Sequence, residues 1–267
     1  MTASGAAERR ATWSRLAFSA SVIVVGIHAL VTHTVVGVWG PVPRFVPAPA
    51  SLAWGVGVVM ATCGFGLLWR RTTLVAARVL LTWLLLWLLL ARLVEAAMAP
   101  AVEGYWSGCG ETLVLAAAAW LLMARQADDG AARRPAFACG PRGRVIARVL
   151  YGLALVPFGL AHFVYLKETM SLVPAWLPWP RGWALLTGAA YLAAALALLT
   201  GVRARLAAGL AAWQIGAFTV LVWLPIVASG RADASACSET VISLALTAAA
   251  CVIAAALPPG AGSTPRT

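Results

Sequence analysis

Only 11% of this 267-residue chain is charged, and the few reactive side chains inside its apolar runs recur in a pattern. Ser235-Ala-Cys237-Ser-Glu239-Thr240 opens the last long apolar stretch, and Ser107-Gly-Cys109-Gly-Glu111-Thr112 opens an earlier one 128 positions before it. His28 and His162 lie in two further apolar runs, and Arg92 and Glu95 near the end of a third. An imidazole beside a carboxylate can exchange protons. A guanidinium in a low-dielectric site can hold an oxyanion or a quinone carbonyl through charge-assisted hydrogen bonds. Thiols at two helix starts, Cys109 and Cys237, can act as redox groups and, on an oxidising face, can pair. Each set also has a packing interpretation. The His/Glu pairs can be interhelical hydrogen bonds, Arg92 can be neutralised by Glu95 or Glu111, and the cysteines can be small residues at tight helix starts.

Counting from the nearest arginine places these groups in depth. His28 is 13 residues past Arg15, His162 is 14 past Arg148, Arg92 is 14 past Arg78, and Glu111 is 14 before Arg125. At 1.5 Å per residue each sits roughly 20 Å from one membrane edge. The counts predict one polar layer of His28, Arg92 and Glu111 and a second of His162 and Glu239, with His28 approaching Glu111 and His162 approaching Glu239. Aligning Trp83 with Trp213 sets Val222 and Pro225 against Arg92 and Glu95, so the first layer is the more charged.

The elements that must carry these residues follow from composition. With 62% hydrophobic residues and a mean hydropathy of +0.87, the chain is an integral membrane protein. Its net charge of +11 then reports orientation, and no nucleic-acid partner is implied. Five scattered cysteines without CxxC, paired Cys/His spacing or HExxH give no metal site. Eight apolar spans are predicted, at about 16–38, 51–69, 80–90 with its flanks, 108–123, 145–166, 182–200, 206–227 and 237–257. Residues 1–15 read as a polar tail, 16–125 as a first four-helix repeat, 126–144 as a basic linker, 145–257 as a second repeat and 258–267 as a disordered tail. Pro-rich outer loops follow the first and fifth spans, and Trp39, Trp176 and Trp179 there read as part of an interfacial aromatic belt.

Fifteen of the twenty Lys and Arg residues fall on the side of the tails, tight turns and linker, which predicts a plasma-membrane protein with both termini cytoplasmic. Four spans per repeat make the copies parallel, related by an axis along the membrane normal.

The second repeat carries Leu160-Ala-His162-Phe163, Val173-Pro-Ala-Trp-Leu-Pro178, Trp183, Thr187-Gly188, Ala204-Arg205-Leu206-Ala207-Ala208, Leu224-Pro225 and Glu239. This resembles the DoxX family of four-helix membrane proteins. The first repeat keeps His28, a Pro/Trp loop, Ala77-Arg78 and Glu111. The resemblance implies an all-α membrane protein of eight transmembrane helices in two tandem four-helix DoxX-like bundles with parallel topology. It also implies a role in quinone-linked oxidation of thiosulfate or thiols, or as the membrane partner of a soluble redox protein. No flavin, haem or dinucleotide motif is present, so quinone is the cofactor that such chemistry implies, with membrane lipid as the surrounding partner. A small-molecule transporter and a non-catalytic membrane scaffold are the alternative classes.

Overall fold

The computed structural model describes residues 3–40, 49–128, 140–230 and 232–258. Among them the chain is helical without strands, and eight helices are long and apolar enough to cross a membrane. They are α1 (Ala3–Thr32), α2 (Pro49–Leu68), α3 (Thr73–Met98), α4 (Glu103–Asp128), α5 (Gly140–Val164), α6 (Pro180–Thr200), α7 (Ala204–Ala228) and α8 (Ala234–Ala256). Helices satisfy every backbone N–H and C=O within one segment, which hydrocarbon surroundings require.

Both boundaries of α1 differ from expectation. Residues 3–15, read as an unstructured tail, are the opening turns of α1, because Ala, Glu and Arg are strong helix formers continuing into the span. Arg15 fixes this end by donating to the Leu67 and Leu68 carbonyls at the end of α2. At the other end α1 stops at Thr32, six residues before the expected Val38, where His33 turns to a positive φ of 54°. The Pro-rich stretch 41–48, linker residues 129–139 with Arg133, Arg134 and Cys139, Arg231, and tail residues 259–267 lie outside the described residues.

The helices do not form two self-contained bundles. Each packs on its sequence neighbours, α1 closes the circuit against α8, and α4 and α8 also pack on each other. The result is two five-helix rings that share α4 and α8. The main partners of α1 are therefore α2 and α8, and those of α5 are α4 and α6. The shared helices carry the alanine needed for close approach on several faces. Ala116 to Ala119 in α4 and Ala249 and Ala250 in α8 are all fully buried, in keeping with small residues at membrane helix interfaces.

Helices α3 and α7 each contain one π-helical turn, at Leu88–Arg92 and Thr219–Trp223. The same 131 positions separate Thr73 from Ala204 and Leu88 from Thr219. This corrects the register drawn from the tryptophans by one residue: Arg92 corresponds to Trp223, Glu95 to Ile226, and Trp83 to Gln214. Pro225 sits just after the π turn of α7, and the helix continues to Ala228.

Candidate functional site

Arg92 is the most heavily engaged side chain in the described structure. It ends the π turn of α3 and is 1% exposed. Its Nε donates to the Val38 carbonyl at 2.8 Å, one terminal nitrogen to the carbonyls of Gly37 (2.9 Å) and Gly40 (2.7 Å), and the other to Glu95 Oε2 at 2.8 Å. Trp87 Nε1 donates to the same Val38 carbonyl at 2.9 Å, and its ring lies 6.0 Å from the guanidinium carbon. The loop after α1 is thereby drawn into the helix ring, with Val36, Val38 and Trp39 buried. Trp39 is thus an interior residue, contrary to the expected interfacial belt.

Four of the five N–H groups of a guanidinium are committed in this way. Arg92 and Glu95, read from sequence as candidate substrate-binding residues, form a clamp that joins α3 to the 33–40 loop. The loop carbonyls were invisible to side-chain motifs. A signal for them was present in Gly37 and Gly40, two glycines that flank Val38-Trp39 immediately before Pro41.

Glu111 lies beside this clamp. A Cβ on Gly37 would come 3.1 Å from a Glu111 carboxylate oxygen, and one on Gly108 would come 3.5 Å from the Arg92 guanidinium. Glycine at these two positions lets loop, arginine and carboxylate share one layer. The two equivalent glutamates, Glu111 and Glu239, sit on the shared helices α4 and α8, which pack on each other. Both are only partly buried. Their neighbours Thr112 and Thr240 bond back to the carbonyls of Gly108 (2.9 Å) and Ala236 (2.7 Å), repeating the same local arrangement.

The expected His/Glu contacts are not formed. His28 Nδ1 is buried without a hydrogen-bond partner. His162 Nδ1 bonds the Phe158 carbonyl at 2.7 Å. A carbonyl only accepts, so Nδ1 carries the proton and Nε2 is the free nitrogen. The His162 ring stands 5.4 Å from that of Tyr191 on α6. Helix packing gives the reason: α1 sits against α8 and not chiefly against α4, so equal depth in one repeat did not bring His28 to Glu111.

The second ring encloses neutral polar groups. Thr219, at the start of the α7 π turn, is 2.6 Å from the Ser243 hydroxyl and 3.1 Å from that of Thr247, and donates to the Ile215 carbonyl at 2.9 Å. Gln214 donates to the Thr187 carbonyl at 3.0 Å, joining α7 to α6. Tyr151 is fully buried with its hydroxyl unpartnered. Apart from Thr187, none of these was singled out from sequence, because single polar residues in an apolar helix do not differ from packing residues until the faces are known.

Cys109 and Cys237, which an oxidising face would allow to pair, are free thiols. Cys109 is buried with Leu88 and Ala96 of α3, and its side of α4 is turned away from the shared seam. Among the described residues no group of three or more His, Cys, Asp or Glu gathers as a metal site. No family model matches the chain, nor does any curated protein or solved structure.

Proposed function

We propose that this chain is a DoxX-like integral membrane protein in which Glu111 and Glu239 take up and release protons in step with reduction of a lipid-dissolved quinone by thiosulfate or a thiol. The observation that carries the reading is the carboxylate pair. Two equivalent glutamates sit on the two shared helices, which pack on each other, and neither has a hydrogen-bond partner among the described residues. An ionisable residue within a spanning helix is a functional-site hypothesis by default, and a structural role would require bonded partners.

The proton balance supports the same assignment. Quinone takes two electrons and two protons to become quinol. Two thiosulfate ions joined through a new S–S bond supply two electrons and no protons, so two protons must be delivered to the quinone oxygens. A dithiol closing to a disulfide supplies both, and the carboxylates then relay them. Arg92 is left out of the reacting set because its donors are held by the loop and Glu95.

The test is quinone reduction by the purified protein in liposomes, with thiosulfate or a dithiol as donor. Glu111→Gln with Glu239→Gln is expected to lower turnover by at least about 100-fold, the usual contribution of positioned acid–base groups, while each single variant retains part of it. Turnover equal to wild type in the double variant, or none above empty liposomes for wild type, would refute the reading. Proton-linked solute flux in the same liposomes without quinone reduction would move the pair to a transporter.

A further inference from the structure

Glu103, the first residue of α4, lies at the membrane face opposite the start of α1 and the end of α8. Only 8% of it is exposed. Ser107 donates to its Oε1 at 2.6 Å, and its Oε2 is buried without a hydrogen-bond partner. No ion pair offsets it among the described residues. Of the other titratable groups at this end of α4, Arg92 and Glu95 are taken up by the clamp. Tyr105 and Cys109 pack on the α3 side, and the Tyr165 hydroxyl accepts from the Gly104 N–H at 3.2 Å.

A negative charge in a first helical turn is favoured by the helix dipole, which accounts for an acid at this position. It does not account for burying the carboxyl group with one oxygen unmet, since burial of an unmet polar atom costs free energy. The positions that follow supply a reason. Glu103, Ser107 and Glu111 are spaced four apart, which puts them in a row along one side of α4 with about 5–6 Å between successive Cβ atoms. Helical side chains lean toward the N-terminus, so Ser107 reaches Glu103 and Glu111 leans toward Ser107. In α8 the same offset of 128 positions returns Ser235 and Glu239 but sets Arg231 against Glu103. The row is headed by an acid on one shared helix only.

We propose that Glu103 and Ser107 form the proton entry to Glu111, drawing from water at this face; the inference rests on the proton exchange assigned to Glu111 above. A proton taken up by Glu103 turns its carboxylate from acceptor to donor. Ser107 Oγ then accepts that hydrogen and passes its own toward Glu111, directly or through one bridging water. The hydroxyl ends as it began, and one proton has moved inward. Thiosulfate brings no protons of its own, so quinone reduction by that donor depends on such an entry.

The full-length protein in lipid is moved from water to heavy water, in buffer acidic enough to keep Glu111 and Glu239 protonated. Exchange at each carboxyl is followed by the infrared shift of its C=O stretch, with Glu111→Gln and Glu239→Gln assigning the two bands. Glu103→Gln is expected to slow exchange at Glu111 by about 100-fold, the low end of what a positioned acid–base group contributes, and to leave Glu239 unchanged. Ser107→Ala is expected to act in the same direction, and Glu103→Asp to keep most of the rate. Added formate, a small diffusible acid, is expected to restore the rate in Glu103→Gln. A merely structural role would slow both carboxyls or neither and would not respond to formate. If Glu103→Gln does not fold, Ser107→Ala against Ser107→Thr, which keeps the hydroxyl, carries the test. The measurement needs no turnover, so Glu103-dependent exchange without quinone reduction would uphold the entry and sink the redox reading. Exchange at Glu111 as fast as wild type in Glu103→Gln and Ser107→Ala, or equal slowing at Glu239, would overturn the proposal.

Discussion

At Leu88–Arg92 and again at Thr219–Trp223 a spanning helix widens into a single π turn, and the space behind the turn is filled in opposite ways. In the first half a guanidinium fills it, bonded to a glutamate and to three carbonyls of a loop that has moved inside the ring. In the second half three hydroxyls fill it. The corresponding second connection, with the short helix Leu166–Leu172, stays outside and has no buried residue in that helix. Trp39 is fully buried, whereas Trp176 and Trp179 are 69% and 76% exposed. The backbone plan accommodates both fillings: the guanidinium meets carbonyls of the inserted loop, whereas Thr219 meets the Ile215 carbonyl of its own helix and two hydroxyls of α8. Pro225 follows the turn in α7 but has no counterpart in α3, so proline is not what makes the turn.

The contrast can be broken most severely at Arg92. Arg92→Leu leaves Glu95 without its counter-ion and releases the Gly37 and Gly40 carbonyls, with Trp87 alone left on that of Val38. Removing one partner of a buried ion pair costs about 3–5 kcal/mol. The expected outcome is a chain that accumulates poorly and, in detergent, unfolds well below wild type with Trp39 newly open to quenchers. Arg92→Lys keeps the charge but has too few donors for three carbonyls and the carboxylate, so it should fall between. A loss under about 1 kcal/mol for Arg92→Leu would mean that the loop is held by its apolar residues alone.

A smaller effect is expected on the neutral side. With Thr219 donating to the Ile215 carbonyl, Ser243 is left as donor to Thr219. Interhelical hydrogen bonds of this kind average about 0.6 kcal/mol in membrane proteins and reach about 1.7. Thr219→Val and Ser243→Ala should each cost that much, and a double-mutant cycle should return a coupling of similar size. Installing the hydroxyls in the first half, by Leu88→Thr with Leu115→Ser, should not rescue Arg92→Leu, because the inserted loop needs several donors at once. Rescue would show that the two fillings are interchangeable.

Much of the architecture was legible because lipid solvent leaves few options: long apolar runs must be helices, and their number and order could be counted. The Ser-x-Cys-x-Glu-Thr recurrence also picked out the two helices that both rings share. What sequence could not supply was which helix lies beside which. Depth counting put His28 and Glu111 at one level, but level is a coordinate along the helices and contact needs the other two. The register of α3 against α7 was misjudged by one residue because Trp83 and Trp213 look alike while their backbones do not correspond. Arg92 was found as an ionisable group at depth, yet its partners are mostly carbonyls, and carbonyls have no sequence signature.

The smallest expected effect concerns the two thiols, and it tests whether the asymmetry reaches the ends of the shared helices. Cys109 is packed against Leu88 and Ala96 beneath the charged clamp, while Cys237 is partly accessible at the start of α8. In chains that keep one cysteine each, a maleimide should modify Cys237 at least about tenfold faster than Cys109, since reaction at a buried thiol must await local opening. Cys109→Ser places a hydroxyl among apolar side chains and should cost about 1 kcal/mol; Cys237→Ser should stay within about 0.5 kcal/mol. With both present, oxidant should not link them, because a disulfide needs Cα atoms within about 7 Å and Cys109 faces α3, away from the seam between α4 and α8. Arg92→Leu should narrow the difference in labelling rate by loosening the cover over Cys109. Equal rates in the unaltered background would mean that the clamp does not close that end of the first ring.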